Sequence, residues 1–170
     1  MILLGLGSNL NSALGNRFDN INHAILLLSK YKIKLLKKSS YYETPSYPNA
    51  KNPKFINVVV LVNSDLDSVT FSSKLMLIEK SLGRKRFKKN DPRTIDIDII
   101  DYKNKVINFN YEGMKFEVPH KKLHLRNFVL YPIQEIMPGW IHPKINQPIN
   151  RLIEKLSYVD KKSILKLKKA

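Results

Sequence analysis

The stretch Asp91-Pro92-Arg93-Thr94-Ile95-Asp96-Ile97-Asp98-Ile99-Ile100 decides how this chain is read. Isoleucine alternates with other residues, and that period of two predicts a β-strand. Residues two apart in a strand share a face. Ile95, Ile97 and Ile99 therefore line one side, and Asp96 and Asp98 the other. Adjacent carboxylates repel each other, which disfavours a purely structural role. They suit a hard divalent cation, which takes oxygen ligands. Arg93 stands just upstream, and Arg84 and Arg86 precede it in a polar stretch. Metal-binding acids beside phosphate-binding arginines point to chemistry on a polyphosphate. The competing reading is a sheet edge that charge protects from aggregation.

Working outward, residues 2–6 read as a first strand, with Gly7-Ser8-Asn9 as a tight turn after it. Phe18, Ile21, Ile25 and Leu28 recur at helical spacing. Residues 33–42 read as a second strand, and 43–54, with three prolines, as a long loop of functional character. Residues 55–62 form an apolar third strand. Leu75, Ile78 and Leu82 mark a second helix that stops at Gly83, and 84–92 form a second polar loop before the Asp strand. This order, strand, helix, strand, strand, helix, strand, is the split βαβ pattern. The expected class is α+β: a ferredoxin-like antiparallel sheet (a βαββαβ core) with helices on both faces. A hairpin near 102–109, a helix near 126–137, a C-terminal helix from about 148 and a solvated Lys-rich helix end after 160 are expected additions.

Composition narrows the function. A chain of 170 residues is expected to form one domain, 1–170, with a real core. It has no cysteine, which excludes a disulfide scaffold and a Cys-based zinc site and fits a reducing cytosol. Met1-Ile2-Leu3-Leu4-Gly5 reads as a strand and not as a signal peptide, and no apolar run is long enough to span a bilayer. The net charge of +16 raises the question of nucleic acid. Lysine is scattered through every segment alongside abundant Ile and Asn, a bias in keeping with AT-rich coding, and no nucleic-acid or membrane partner is expected. Four of the six arginines, Arg84, Arg86, Arg93 and Arg126, fall in polar segments, where a planar bidentate phosphate contact would use them. A small RNA-binding sheet is the alternative, but two acids on the last strand would repel phosphate.

Taken together, these motifs resemble the 6-hydroxymethyl-7,8-dihydropterin pyrophosphokinase family over almost the whole chain. The carriers are Gly5-Leu6-Gly7-Ser8-Asn9, Ser39-Ser40-Tyr41-Tyr42-Glu43-Thr44-Pro45, Phe55-Ile56-Asn57 and Ile78-Glu79 through Leu82-Gly83-Arg84 to Arg86. Pro92-Arg93-Thr94-Ile95-Asp96-Ile97-Asp98-Ile99 and Val118-Pro119-His120 with Arg126, Phe128 and Pro132 complete the set. The resemblance implies pyrophosphate transfer from ATP to the reduced pterin alcohol, with release of AMP. It implies that Asp96 and Asp98 hold two Mg²⁺ ions and that Arg84 and Arg93 contact the triphosphate. Glu79, Arg86, Arg93, Ile99, Lys115, His120 and Arg126 match nucleotide positions. Phe55 and Phe128 would sandwich the pterin, and Thr44, Pro45, Tyr47 and Asn57 would read its polar edge. A cytoplasmic monomer acting on small molecules is the implied setting. The general base stays unassigned. Met76, Asn90-Asp91 and Lys121 depart from residues frequent in the family.

Overall fold

The structure, a computed structural model, describes residues 1–85 and 90–168. The elements are β1 (Ile2–Ser8), α1 (Arg17–Lys30), β2 (Lys34–Lys38), β3 (Tyr42–Thr44), β4 (Phe55–Asn63), α2 (Ser68–Ser81) and β5 (Asp96–Tyr102). The hairpin β6 (Ile107–Tyr111) and β7 (Met114–Val118) follows, then α3 (Asn127–Ile136), α4 (Ile149–Glu154), α5 (Tyr158–Lys162) and β8 (Leu165–Lys166). The main sheet runs β5-β1-β4-β3-β8, with β2 also paired to β4, and every pairing is antiparallel. It is a mixed fold of helices on an antiparallel sheet.

The alternation in the strands sorts two cores. Ile2, Leu4 and Leu6 of β1, Val58, Val60 and Val62 of β4, and Ile97 and Ile99 of β5 pack under α1 and α2. Leu3, Val59, Leu61 and Ile100 face the other way, onto α3, α4 and Trp140. The register between β1 and β5 slips at Leu3/Leu4, opposite Ile100. Ile100 faces the second core by ordinary alternation with Ile99, and the bulge turns Asp101 to that side as well, where its Oδ2 accepts from Trp140 Nε1 at 2.8 Å. Helix starts are set by local chemistry. Asn16 and Asp19 form a capping box on α1, and Asp67 caps α2 through Val69 N and Thr70 N. Gly83 ends α2 with φ +80°, as its sequence position predicts.

Four expectations are corrected. Gly7 and Ser8 lie within β1, not in a turn. Glycine reads as a breaker, but within a strand it marks close approach of another group. Here a Cβ on Gly7 would sit 3.2 Å from Asn57 Oδ1 and 3.5 Å from Phe55 Cδ1. The expected strand 33–42 is two strands. Ser39 breaks it by exchanging bonds with Val59: its N–H donates to Val59 O at 2.9 Å, and its Oγ accepts from Val59 N at 3.0 Å. The hairpin lies at 107–118 because β5 continues to Tyr102 and turns at Lys103-Asn104, both with positive φ. Finally, the C-terminus is not one solvated helix. It forms α4 and α5, then returns as β8 to pair with β3.

Candidate active site

One row of residues crosses the sheet on the face of the second core. Tyr42 pairs with Asn57, Asn57 with Gly7, and Gly7 with Asp96. Directly paired residues share a face, so these four side-chain positions lie side by side. Neighbouring strands are about 4.8 Å apart, which puts Asn57 and Asp96 roughly 10 Å from each other. A second row pairs Val59 with Gly5 and Gly5 with Asp98. Gly7 thus leaves bare backbone between an amide and aromatic end on β4 and a carboxylate end on β5, while over Gly5 the Ile100 side chain fills the space, 3.3 Å from where a Cβ would sit.

At the carboxylate end Asp96 is gripped by two arginines. Arg84 donates to its Oδ1 at 2.5 Å, and Arg93 to its Oδ2 at 2.9 Å. Gly83 makes the first contact possible. Its left-handed turn lets Arg84 N donate to Glu79 O at 3.1 Å and brings the guanidinium onto the Glu79 carboxylate as well. Glu79 is buried and also accepts from Ile97 N at 2.7 Å, so it ties α2 to β5 beneath Arg84. Burial alone would weaken the Arg84 charge, but the Asp96 and Glu79 carboxylates outweigh it and hold the guanidinium protonated.

Asp98 has a different setting. Its side chain is 55% exposed, and Arg126 stands 3.8 Å away. Its carboxyl is pushed up to about 7, by crowding of protein atoms around it and then by the Asp96 charge, with Arg126 pulling the other way. Solvent reaches one side of the group and tempers the crowding, whereas repulsion from Asp96 is unavoidable for neighbours on one strand face; both act upward. The donor set fits a hard cation: two carboxylates on one face. Among the described residues no further His, Cys, Asp or Glu joins them. Mg²⁺ commonly uses one or two carboxylates and fills its shell with substrate phosphates and water. With both Asp96 oxygens taken by arginines, a cation landing there displaces guanidinium groups, which anionic phosphates can then accept.

At the other end Asn57 Nδ2 donates to Tyr42 O at 3.3 Å and Thr44 Oγ1 at 3.0 Å. Both amide hydrogens are used, so Oδ1 is presented as an acceptor over Gly7. Phe55 and Phe128 are each only partly buried. Arg93 lies 5.7 Å over the Phe55 ring and Arg126 5.7 Å over the Phe128 ring, so each aromatic is linked to the charged end by a cation–π contact. Pro45 and Tyr47 are exposed at the start of the 45–54 loop.

Sequence reasoning missed Asn9, which holds these parts together. It is buried, and its Nδ2 donates to Ser46 Oγ at 3.2 Å and Pro53 O at 3.0 Å while its Oδ1 accepts from Arg93 N at 2.8 Å. One side chain so joins the end of β1, the 45–54 loop and Arg93. Its signal in sequence is its place at the end of the Gly5-Leu6-Gly7-Ser8-Asn9 motif, which reads as a turn with no site role for Asn9. His120 is half-buried, its Nδ1 accepts from Lys122 N at 3.1 Å, and burial followed by the Arg126 charge lowers its pKa. Lys115 is exposed on β7. The Ile99 side chain points into the first core, on the opposite face from Asp96 and Asp98. Arg86 lies outside the described residues.

The chain is similar to proteins of folate synthesis. It is 36% identical over 148 residues to 2-amino-4-hydroxy-6-hydroxymethyldihydropteridine pyrophosphokinase of Aquifex aeolicus, covering 87% of each chain. It is 36% identical over 164 residues to the folic acid synthesis protein fol1 of Pneumocystis carinii, where it covers 96% of its own length but only 21% of that protein. Among solved structures, an HPPK-DHPS in complex with substrates shares the fold with a TM-score of 0.72 at 14% identity, over 98% of this chain and 48% of that one. Plasmodium falciparum HPPK-DHPS gives 0.73 at 17% identity, over 91% and 40%. The chain thus spans about a fifth of the length of the fungal relatives and under half that of these structures. Residues 3–138 match the family described as 7,8-dihydro-6-hydroxymethylpterin-pyrophosphokinase, and to that HPPK family the chain belongs.

Proposed function

We propose that the chain transfers the β,γ-pyrophosphate of ATP to the hydroxymethyl group of 6-hydroxymethyl-7,8-dihydropterin in folate biosynthesis, with Mg²⁺ held by Asp96 and Asp98. The observation that carries this reading is the row Asn57–Gly7–Asp96, with a polar and aromatic end and an acid and arginine end separated by bare backbone. Phe55 and Phe128 offer two ring faces for a flat heterocycle. The fixed Asn57 Oδ1 accepts a hydrogen bond from a ring N–H. Thr44, Pro45 and Tyr47 border that end from β3 and its loop. Glycine at position 7 lets the hydroxymethyl arm and the phosphate chain approach the sheet closely.

In the reaction the hydroxymethyl oxygen attacks the β-phosphorus, the bond from that phosphorus to the α,β-bridging oxygen breaks, and AMP leaves. The hydroxyl proton passes to water; no general base is assigned. Two Mg²⁺ ions on Asp96 and Asp98 would neutralise phosphate charge and align the groups. Arg84 and Arg93, released from Asp96, turn to the phosphates. Glu79 keeps Arg84 aimed by holding its guanidinium from behind. Arg126, Lys115, His120 and Arg86 supply the nucleotide side, with the Ile99 backbone beside it. Catalysis of this kind is positioning and charge stabilisation, and a covalent nucleophile is not needed. We read the core as the ferredoxin-like unit of a single monomeric cytoplasmic domain. Among the described residues no helix is long and apolar enough to cross a membrane.

The test is product identity. With ATP, Mg²⁺ and the pterin alcohol, AMP and pterin diphosphate should appear in equal amounts. Formation of ADP, or no pterin-dependent consumption of ATP, would overturn the reading.

A further inference from the structure

The C-terminal segment lies outside the family match at 3–138, yet it is built into the walls of the site. β3 has only three residues. On one edge they pair with the start of β4, Tyr42 with Asn57 and Thr44 with Phe55. On the other edge β8 closes over them, Tyr42 with Lys166 and Glu43 with Leu165, and Leu167 N donates to Tyr41 O at 2.9 Å. A three-residue edge strand has little stability of its own, and a neighbour on its open side supplies the missing ladder bonds.

The same segment holds the second wall. Asn127, which immediately precedes Phe128, is buried and donates through Nδ2 to Asp160 O at 2.6 Å and Ser163 Oγ at 3.0 Å. Those acceptors lie on α5 and just after it, directly before β8. Glu135 of α3 links the two attachments. It accepts from Ser40 N at 3.0 Å, Ser40 Oγ at 2.8 Å and Tyr42 Oη at 2.7 Å, and Lys166 Nζ stands 3.5 Å from it. Burial raises the Glu135 pKa, but the Tyr42 and Ser40 hydrogen bonds prevail and leave it lowered, so it stays ionised as an anchor.

We propose that residues 157–167 act as a positioning strap for the pterin half of the site. By gripping β3 on one side and the start of α3 on the other, the strap sets the gap between the Thr44–Phe55 wall and Phe128. It touches neither the acids nor Arg84 and Arg93, so its effect falls on one substrate and not on the other. This inference rests on the proposed pyrophosphokinase function.

The experiment compares the full chain with a truncation ending at residue 163 and with the full-length variants Asn127→Ala and Lys166→Glu. Affinity for the pterin alcohol is read by its fluorescence, affinity for a non-hydrolysable ATP analogue with Mg²⁺ by calorimetry, and amide exchange is followed at 41–44. Truncation should weaken pterin binding about tenfold and leave nucleotide binding within twofold, with faster exchange at 41–44. Each full-length variant should show the same split at about threefold, and these two decide the matter if the truncated chain does not fold. Equal losses for both ligands, or pterin binding indifferent to all three changes, would sink the strap alone. If the unaltered chain binds nucleotide but not the pterin alcohol, the functional reading fails and the strap falls with it.

Discussion

Two aspartates of identical chemistry, two positions apart, should respond in opposite directions to the same substitution. Asp96→Asn removes the carboxylate that receives Arg84 at 2.5 Å and Arg93 at 2.9 Å, and aims an amide N–H₂ at one of them. The Arg84 side chain is only 9% exposed, so a buried guanidinium keeps Glu79 but loses its second counter-charge. Breaking a fully buried pair costs about 3–5 kcal/mol. Glu79 remains and Asp96 is itself 24% exposed, so about 2–3 kcal/mol is expected here. For a domain of this size that lowers Tm by roughly 5–10 °C. Asp98→Asn does the reverse. A carboxyl whose folded pKa lies near 7, above its ordinary value, binds its proton more tightly in the folded state than in the unfolded one. The sign follows from linkage: there is no effect below the unfolded pKa near 4, a growing destabilisation as pH rises towards 7, and a constant one above. Replacing Asp98 relieves that load. Its side chain is 55% exposed, so the gain is held to under about 1 kcal/mol. Thermal melts in EDTA at pH 8 and again near pH 4.5 read both effects. Asp96→Asn should melt lower than the unaltered chain at pH 8, and Asp98→Asn slightly higher, with the Asp98→Asn gain shrinking at the acid pH. Both should lose nearly all turnover. Melting shifts of the same sign for the two variants at pH 8 would refute the assignment of the arginines to Asp96 and of the repulsive load to Asp98.

Mg²⁺ affinity, read by calorimetry with the ATP analogue present, should rise about tenfold per pH unit up to about pH 7 and then level, because Asp98 must shed one proton to bind; a flat profile between pH 5.5 and 7 would count against that. Gly7→Ala should weaken pterin binding while sparing metal-free nucleotide binding, since its methyl would crowd Asn57 Oδ1 at 3.2 Å and Phe55 at 3.5 Å; unchanged pterin affinity would remove Gly7 from the floor of the site. Phe55→Ala and Phe128→Ala should each cost about 1.5–3 kcal/mol of pterin affinity with small shifts in Tm, because both rings are only partly buried; a large loss of stability with pterin affinity intact would return them to the core.

What could be read from residues alone was whatever depends on local periodicity. The Ile95–Ile97–Ile99 alternation sorted acids from core because a strand has only two faces, and Gly83 stopped α2 because few other residues adopt its left-handed φ. What escaped depends on partners far along the chain. Gly7 looked like a turn because the side chains that crowd it, Asn57 and Phe55, come from a strand some fifty residues later. Asn9 looked like the end of that turn, without a site role, for the same reason: its three bonds reach Ser46, Pro53 and Arg93. β8 is two residues long and carries no pattern, and it is a strand only because β3 offers an open edge. The Asp pair shows the division within a single motif. Strand periodicity puts both carboxylates on one face, but it cannot distinguish them. The distinction comes from Arg84 and Glu79, delivered by the end of α2, and from Arg126, delivered ahead of α3. Two equivalent letters thus become an acid gripped by two arginines and one that faces Arg126 alone at 3.8 Å with its pKa raised, an asymmetry no reading of the strand pattern supplies.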